Sequence, residues 1–334
     1  MTPAQLINAL PDGALIIGAD GQVVEANPAA REALGLEVRG LPAKSAIRNS
    51  AFHVSVAEAR ESGTAVDTDI EVQSRPPRQF KAHMAPIGTS GAVLVVLRDL
   101  TREQRIEQMR SDFVANASHE MRTPLAAIIG TVETLQGAAK NDAKARERFF
   151  DSMLSQARRM KRLIDDLLTL SRIELNEHVR PRAQVDLFDI ARQAKSNLVA
   201  LIGETKIAVN FAAAQPTPVA GDADELLQVT QNLLENAIKY GASGGKVDIS
   251  CKVISGFGVL EVKDYGRGIA EDHIPRLTER FYRVSTQESR ARGGTGLGLA
   301  IVKHIVSRHR GKLDVASKLG EGSTFKISIP LYRS

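Results

Sequence analysis

Aromatic residues make up only 4% of this chain, and none of them is tryptophan. They form no aromatic-rich basic patch of the kind that stacks on single-stranded nucleic acid. The formal charge of +5 and an isoelectric point near 9.3 suit a nucleotide or an acidic partner protein, and do not by themselves argue for DNA. There is one cysteine, Cys251, so no disulfide can close within the chain, no zinc-finger pattern exists, and a reducing compartment is expected. Cys251 sits in an alternating run, 247–253, and reads as a strand residue rather than a nucleophile. No stretch approaches the roughly 20 apolar residues that a membrane span needs. The longest, 92–97, has the length of a strand, and no basic-then-apolar leader opens the sequence. A soluble, cytoplasmic chain is the expectation. No G-x-x-x-x-G-K-[ST] occurs, which excludes a P-loop, and Leu299 breaks a dinucleotide reading of the alternating Gly294, Gly296 and Gly298.

With 334 residues, 43% of them apolar and 25% charged, the chain has material for two or three globular domains. Its most informative stretch is Phe113 to Leu125. Apolar residues recur there and around it at Ile106, Met109, Phe113, Ala117, Met121, Leu125, Ile128, Val132 and Leu135. Those steps of three and four make one stripe of an amphipathic helix. His119 lies two residues from both Ala117 and Met121, so at about 100° per residue it points roughly opposite the stripe, into water. Thr123 is one turn on and shares its face; Glu120 can reach the ring from its flank. A neutral, exposed imidazole beside a carboxylate can act as a nucleophile, and a solvated surface histidine has the same local pattern. Pro124 predicts a kink just past His119. After a polar turn at 137–142, a second helix is expected over 143–175. Its Phe150, Met153, Ala157, Met160, Ile164 and Leu167 step as a heptad seam. Leu163, Leu168 and Leu170 widen that seam beyond what one partner helix can cover. Two copies forming a four-helix bundle, and hence an obligate homodimer, are the economical solution.

Residues 1–98 read as a small α/β domain. A strand at 14–17 turns through Asp20 and Gly21 into a second at 23–26. Asn27 caps a helix with Pro28 in its first turn, and strands follow at 67–72, 79–85 and 92–97. His53 and His83 could serve as haem ligands, but each has a simpler place, on a helix and in a strand. The charged segment 177–184 reads as a linker. Beyond it a mixed α/β pattern begins, with a helix at 187–201, strands at 207–212, 246–254, 259–263 and 324–330, and a helix at 297–310. The last helix ends at Gly311 after basic His309 and Arg310, which gives His304 and His309 structural roles. The helix at 222–240 has a core face with Leu227, Thr230, Leu234 and Ala237. Another face carries Gln228, Asn232, Asn236 and Lys239. Amides and an ammonium there can meet phosphates and Mg²⁺, which takes oxygen ligands; a solvated face carries the same residues. The polar run from Thr286 to Gly294 reads as a mobile lid.

The string SHEMRTPL at 118–125 resembles the phospho-accepting H box of sensor histidine kinases. NLLENAIKY, from Asn232 to Tyr240, resembles the N box of the GHKL ATPase superfamily. DYGRGI from Asp264 to Ile269 resembles its first glycine box, RFYR from Arg280 to Arg283 its F box, GTGLGL from Gly294 to Leu299 its second glycine box, and GEGST from Gly320 to Thr324 its third, all in family order. The opening LPDGALIIGADGQVVEANPAAREALG resembles a PAS domain, and the segment at 98–103 the junction that hands over to a signalling helix. With no cysteine before residue 251, a flavin–cysteinyl adduct is unavailable to that PAS domain, which could equally serve dimer contacts without a ligand. The combination is nearest to the phosphate-regulon type of sensor kinase. The fold it implies is multidomain α/β: a PAS sensor domain (1–98), a signalling helix (99–110), a phosphotransfer hairpin (111–176) forming a dimeric antiparallel four-helix bundle, a linker (177–184), and an α/β sandwich of the GHKL, or Bergerat, ATP-binding type (185–334).

This resemblance also implies roles. Neutral His119 attacks the γ-phosphate of ATP while Glu120 takes the other ring proton, and the phosphoryl group then passes to an aspartate of a response regulator receiver domain. Thr123 with Glu120 resembles the pair that orients water for dephosphorylation. Asp264 accepts the adenine amino proton. Asn236 offers its oxygen to Mg²⁺ with Asn232 close by, and Lys239, Arg280 and Arg283 meet phosphates. Gly266 and Gly268 let backbone approach the base, and Gly294, Gly296 and Gly298 lead into a helix whose first amides face phosphate. Tyr240, Ile269, Thr295, Leu297, Leu299 and Thr324 complete the ATP-binding boxes. The partners implied are a second copy and a response regulator, with no direct nucleic acid. Many kinases with this H box are membrane-anchored, which leaves an anchor upstream of residue 1 open. Two other readings share the pattern. A repair or chaperone GHKL ATPase has the ATP boxes but needs no SHEMRTPL on a dimer helix. A PAS-driven dimer scaffold would carry decayed boxes, whereas all five are complete here.

Overall fold

The computed structural model describes residues 3–35, 37–74, 77–88, 90–137, 139, 142–176, 178–285 and 294–332. It divides into two compact units, Met1–Ala115 and Asn116–Ser334.

In the first unit, β1 (Gly13–Ile17), β2 (Val23–Ala26), β3 (Val66–Val72), β4 (Arg78–Ile87) and β5 (Ala92–Asp99) form an antiparallel sheet in the order β2-β1-β5-β4-β3. Between β2 and β3 run α2 (Pro28–Leu34), α3 (Ala43–Ala46) and α4 (Ser50–Ser62), after a short α1 (Pro3–Asn8). Two strands, helices, then three strands is the predicted order. Alternation decides which side of the sheet is covered: in β4, Phe80, Ala82 and Met84 are buried while Lys81 and His83 are exposed. The main core gathers them with Leu15, Ile17, Phe52 and Ile70. Ile7 of α1 covers Ala14 and Ile16 on the opposite face of β1. His53 sits 2.8 Å from the Ile47 carbonyl and His83 2.6 Å from Asp67, so both histidines have local partners.

Asn27 is the polar hub of this unit. It is buried, and its Oδ1 accepts the N–H groups of Ala30 at 2.8 Å and Ala14 at 2.9 Å. Its Nδ2 donates to the carbonyls of Ile7 at 3.1 Å and Asp12 at 2.9 Å. One side chain therefore caps α2 and ties α1 to β1. Asn27→Ala should lower stability by about 3 kcal/mol in denaturant unfolding, the loss of a cap plus buried groups left unpaired. A change below about 1 kcal/mol would contradict the role of a hub.

The second unit contains the helical hairpin and a two-layer α/β domain. Helix α5 (Thr101–Gln136) runs through Pro124, and α6 (Ala143–Leu175) is capped by Asp142 on Ala145 N–H at 2.9 Å. The bounds of α6 are the predicted ones. The five-stranded sheet comprises β7 (Ala208–Ala214), β9 (Lys246–Ile254), β10 (Phe257–Asp264), β11 (Lys312–Lys318) and β12 (Gly322–Pro330), in the order β11-β12-β10-β9-β7. Only β7 and β9 pair in parallel. A short pair, β6 (Ala183–Asp186) and β8 (Pro218–Gly221), forms its own two-stranded sheet against β10 and β12. The helical layer is α7 (Leu187–Asn197), α8 (Val199–Thr205), α9 (Ala223–Tyr240) and α10 (Gly298–Arg308). No described helix is long and apolar enough to cross a membrane.

Several expectations need correction. The helix expected at 187–201 is two helices, broken at Leu198. Strands β6, β8 and β11 carry too weak an alternation to be read from the sequence, and β6 draws Ala183 and Gln184 out of the segment expected to be a linker. The core face of α9 adds Leu226, Val229 and Leu233, while Leu227 is only half-buried. On α6 the buried side chains include Leu163, Leu170 and Ile173, and the predicted seam is largely open: Phe150 is 57% and Ile164 42% exposed. Helix α10 packs against α6 on a different side of the helix. Cys251 is buried in β9, where burial pushes its thiol up to about 12, consistent with a strand residue.

Candidate active site

Helix α9 builds one wall. Asp222 caps it by accepting the N–H groups of Asp224 at 3.0 Å and Glu225 at 3.1 Å, and its apolar stripe lies in the core. The opposite stripe, with Asn232, Asn236, Lys239 and Tyr240, lines a cavity of about 220 Å³. Lys239 Nζ pairs with Glu235 at 2.5 Å, and Asn232 Nδ2 donates to the Gly298 carbonyl at 3.4 Å, joining α9 to the start of α10.

A second wall forms where the end of β10 interlocks with the β11–β12 turn. Asp264 is 4% exposed and lines the cavity with Gly268 and Ile269. Its Oδ1 accepts Gly266 N–H at 2.9 Å, and Ser323 gives it both a backbone N–H and a hydroxyl. Burial nevertheless holds its carboxyl above the usual aspartate range, because those donors only partly offset desolvation. Gly266 is behind the wall: a Cβ there would sit 2.4 Å from the Tyr240 carbonyl. Gly268 has φ +69°, and a Cβ on it would fall 2.0 Å from the Lys318 carbonyl oxygen.

The third wall combines 294–299 with 280–283. Gly294, Thr295, Gly296, Gly298 and Leu299 line the cavity, as does Arg283. Gly296 at φ +78° lies against Phe281, itself at φ +64°, whose N–H donates to the Gly296 carbonyl at 2.8 Å. Leu297 is fully buried at the N-cap of α10. Four expected residues are not in the lining, the buried Leu297 among them. Arg280 bonds Glu174 of α6; Gly266 and Thr324 stand behind neighbours. Side chains alternate along β12, so Ser323 and Phe325 line the cavity and Thr324 does not. The expected lid at 286–293 lies outside the described residues.

The hairpin closes the site. Arg162 and Asp166 of α6 are in the lining, and Thr295 Oγ1 donates to Asp166 Oδ2 at 2.6 Å. Burial, with Glu235 and Asp165 nearby, pushes the Asp166 carboxyl up. His119 is exposed on α5, as its offset from the apolar stripe predicts. Beside it, Glu120 Oε2 accepts from Arg159 at 2.8 Å and from Arg283 at 3.0 Å. Arg283 also donates to the Gly294 carbonyl at 2.9 Å, and its Nε is buried without a partner. Thr123 Oγ1 donates to the His119 carbonyl at 3.2 Å.

At the far end of α6, Arg308 Nε donates to the carbonyls of Asn176 at 3.1 Å and Val179 at 3.0 Å, and Nη1 bonds Glu225. The adjacent His309 was expected as a basic last-turn residue. It is instead buried: Nδ1 donates to the Ile305 carbonyl at 2.8 Å, and Nε2 accepts Asp222 N–H at 3.0 Å. Accepting requires the neutral ring, in keeping with a pKa lowered chiefly by burial.

Sequence reasoning missed Ser323, Phe325, Glu235, Asp166 and Arg162. Strand alternation around Thr324 was a usable signal for the first two; nothing local marks the last two, which arrive on another helix. Among the described residues no group of His, Cys, Asp or Glu forms a metal cage.

Three families match the chain: "PAS fold" over 7–105, "His Kinase A (phospho-acceptor) domain" over 109–176, and "Histidine kinase-, DNA gyrase B-, and HSP90-like ATPase" over 221–333. The phosphate regulon sensor protein PhoR of Pseudomonas aeruginosa is 36% identical over 322 residues, 95% of this chain and 71% of that protein. The sensor-like histidine kinase SenX3 of Mycolicibacterium smegmatis is 36% identical over 275 residues, 79% of this chain and 71% of that protein. Among solved structures, the Acinetobacter baumannii histidine kinase AdeS is similar with a TM-score of 0.52 and 28% identity, covering 64% of this chain and 98% of that one.

Proposed function

The chain belongs to the sensor histidine kinases, and on that premise we propose how its residues divide the work of an ATP-dependent protein histidine kinase. His119 is the phospho-acceptor. One of its ring nitrogens bonds to the γ-phosphorus as the bond from that phosphorus to the ADP oxygen breaks, and Glu120 accepts the proton of the other ring nitrogen. Asp264 receives the adenine amine. The triphosphate runs along Lys239, Arg283 and the N-terminus of α10, where unpaired backbone amides favour an anion. The unpartnered Nε of Arg283 is a donor suited to that anion. Arg280, held by Glu174, is in reserve beside them.

Asn236 offers one amide oxygen in the lining, which fits Mg²⁺, an ion that takes most of its ligands from phosphate and water. When bound, that ion would neutralise part of the phosphate charge.

The observation that carries this reading is the bond of 3.0 Å between Glu120 and Arg283. It couples the neighbour of the nucleophile to a side chain of the nucleotide cavity. The exposed apolar faces, with Leu125 at 47% and Leu168 at 53%, support two copies joining as a four-helix bundle. The phosphoryl group then goes to an aspartate of a response regulator. Thr123, once its hydroxyl leaves the His119 carbonyl, orients water with Glu120 for the reverse dephosphorylation. The domains divide as 1–98, 111–176 and 185–334, with 99–110 and 177–184 as connectors.

Incubating the chain with γ-labelled ATP and Mg²⁺ tests the reading. The expected product is protein-bound label that is lost in acid and kept in base, as a phosphoramidate is. Acid-stable label, or none, would overturn it.

A further inference from the structure

We propose that Ser317, which lies outside every ATP-binding box, is a positioning residue that makes the base end of the cavity selective for a purine bearing an exocyclic amine. The inference rests on the reading of Asp264 as the partner of the base.

Ser317 is the cross-strand partner of Ser323 in the β11–β12 pairing. Its Oγ accepts the N–H of Ile269 at 2.8 Å, and it lies 2.9 Å from both the Gly322 carbonyl and Ser323 Oγ. One hydroxyl thus reaches two cavity-lining residues, Ile269 and Ser323, from behind.

The hydrogen-bond directions give it a chemical consequence. Asp264 has three donors: Gly266 N–H, Ser323 N–H and the Ser323 hydroxyl. The two backbone groups can only donate. The hydroxyl can rotate, and a donor to its own oxygen favours the orientation that keeps its proton on Asp264. Ser317 is that donor when its single O–H points at Ser323 Oγ, 2.9 Å away, in place of the Gly322 carbonyl to which it can otherwise donate at the same distance. The donors then run in one direction, from Ile269 N–H through both serines to the carboxylate, and each bond polarises the next. Such a chain ends in an ionised acceptor, which is what an exocyclic amine requires. A protonated Asp264 would present a donor, and a donor accepts a base with a carbonyl at that position. Burial already raises the Asp264 pKa, so the Ser323 hydroxyl is one of few forces opposing protonation.

Two roles are thereby separable. If Ser317 only braces the β11–β12 turn through the Gly322 carbonyl, its loss weakens every nucleotide alike. If it orders the donors on Asp264, its loss weakens an amine-bearing base more than a carbonyl-bearing one. The effect also grows as pH falls. Asp264 must be a carboxylate to accept, so affinity for ATP is present above its raised pKa and lost as pH drops through it. Removing a donor raises that pKa further and moves the loss to higher pH.

The test is calorimetric titration of the full chain with ATP and with inosine triphosphate, whose base has a carbonyl in place of the amine, over a descending series of pH values. For Ser317→Ala, ATP should bind about tenfold more weakly and inosine triphosphate less than about twofold more weakly. The ATP loss should be larger at lower pH, and Ser317→Thr should restore the wild-type preference. Equal weakening of both nucleotides, or no restoration by threonine, would overturn the proposal in favour of a turn brace. Asp264→Asn separates the two layers of the argument. If that variant keeps wild-type ATP affinity, the reading of Asp264 itself is wrong. If it loses the preference for ATP while Ser317→Ala keeps it, only the role of Ser317 is wrong.

Discussion

His119→Gln should cut incorporation of label from γ-labelled ATP by more than about a thousandfold while leaving ATP affinity within about twofold. Glutamine suits a helix and keeps a polar, hydrogen-bonding tip, but its amide nitrogen has no lone pair available to attack phosphorus. The side chain is exposed and absent from the cavity lining, so nucleotide binding has no reason to change. Neither Glu120 bond involves the ring, so the contacts to Arg159 and Arg283 should persist. The measurement pairs label incorporation with direct nucleotide titration on the same preparation. Wild-type labelling of the variant would remove His119 from the chemistry. Equal loss of labelling and of ATP affinity would mean that the substitution had damaged the cavity instead.

Gly268→Ala should weaken ATP binding by about a hundredfold or more. The residue occupies φ +69°, a conformation that costs a side-chain-bearing residue about 1 kcal/mol or more. Its new Cβ would lie 2.0 Å from the Lys318 carbonyl oxygen and 2.6 Å from its carbon. Both are backbone atoms, so a rotamer change cannot relieve the overlap. The β11–β12 turn has to retreat, and with it the Gly320 N–H that donates to the Arg267 carbonyl at 2.7 Å. Asp264 and Ile269 sit on either side of that contact and lose their spacing. Thermal unfolding with and without ATP reads the effect: the apo midpoint falls modestly, and the shift on adding nucleotide disappears. An ATP-induced shift equal to that of the wild type would show that this close approach does not shape the pocket.

Long periodic stretches were legible in the sequence. The bounds of α5 and α6 coincide with their apolar repeats because a helix of more than thirty residues averages over local exceptions. The strand order around Asn27 was legible because a cap, a proline and a glycine turn punctuate it. The break at Leu198 was not, since no glycine or proline marks it and the apolar pattern continues into α8. Strands β6 and β8 have four residues each, too few for a period to emerge. At the cavity, the spacing of Asn232, Asn236 and Lys239 on one helical face could be read directly. Ser317 could not, because its importance comes from pairing with Ser323 across two strands. Nor could Asp166, whose carboxylate meets Thr295 only because one helix packs on another domain's helix. The α6 repeat marks a face suited to burial, but apolar spacing does not say which neighbour covers which side of the helix.

Arg308 holds the chain just where it leaves α6, at the carbonyls of Asn176 and Val179, and this fixes a pivot. Arg159, which grips Glu120, lies 17 positions earlier, about 25 Å up the helix at 1.5 Å per residue. A swing of about 10° about that pivot displaces the Glu120 end by about 4 Å. The link from Arg283 to Glu120 snaps under far less stretch, while the Arg308 bonds scarcely lengthen. Thr295 and Asp166 stand partway along the lever and part later. Were the hairpin to swing away about that point, its histidine end would part from the nucleotide domain before its hinge end, by leverage alone.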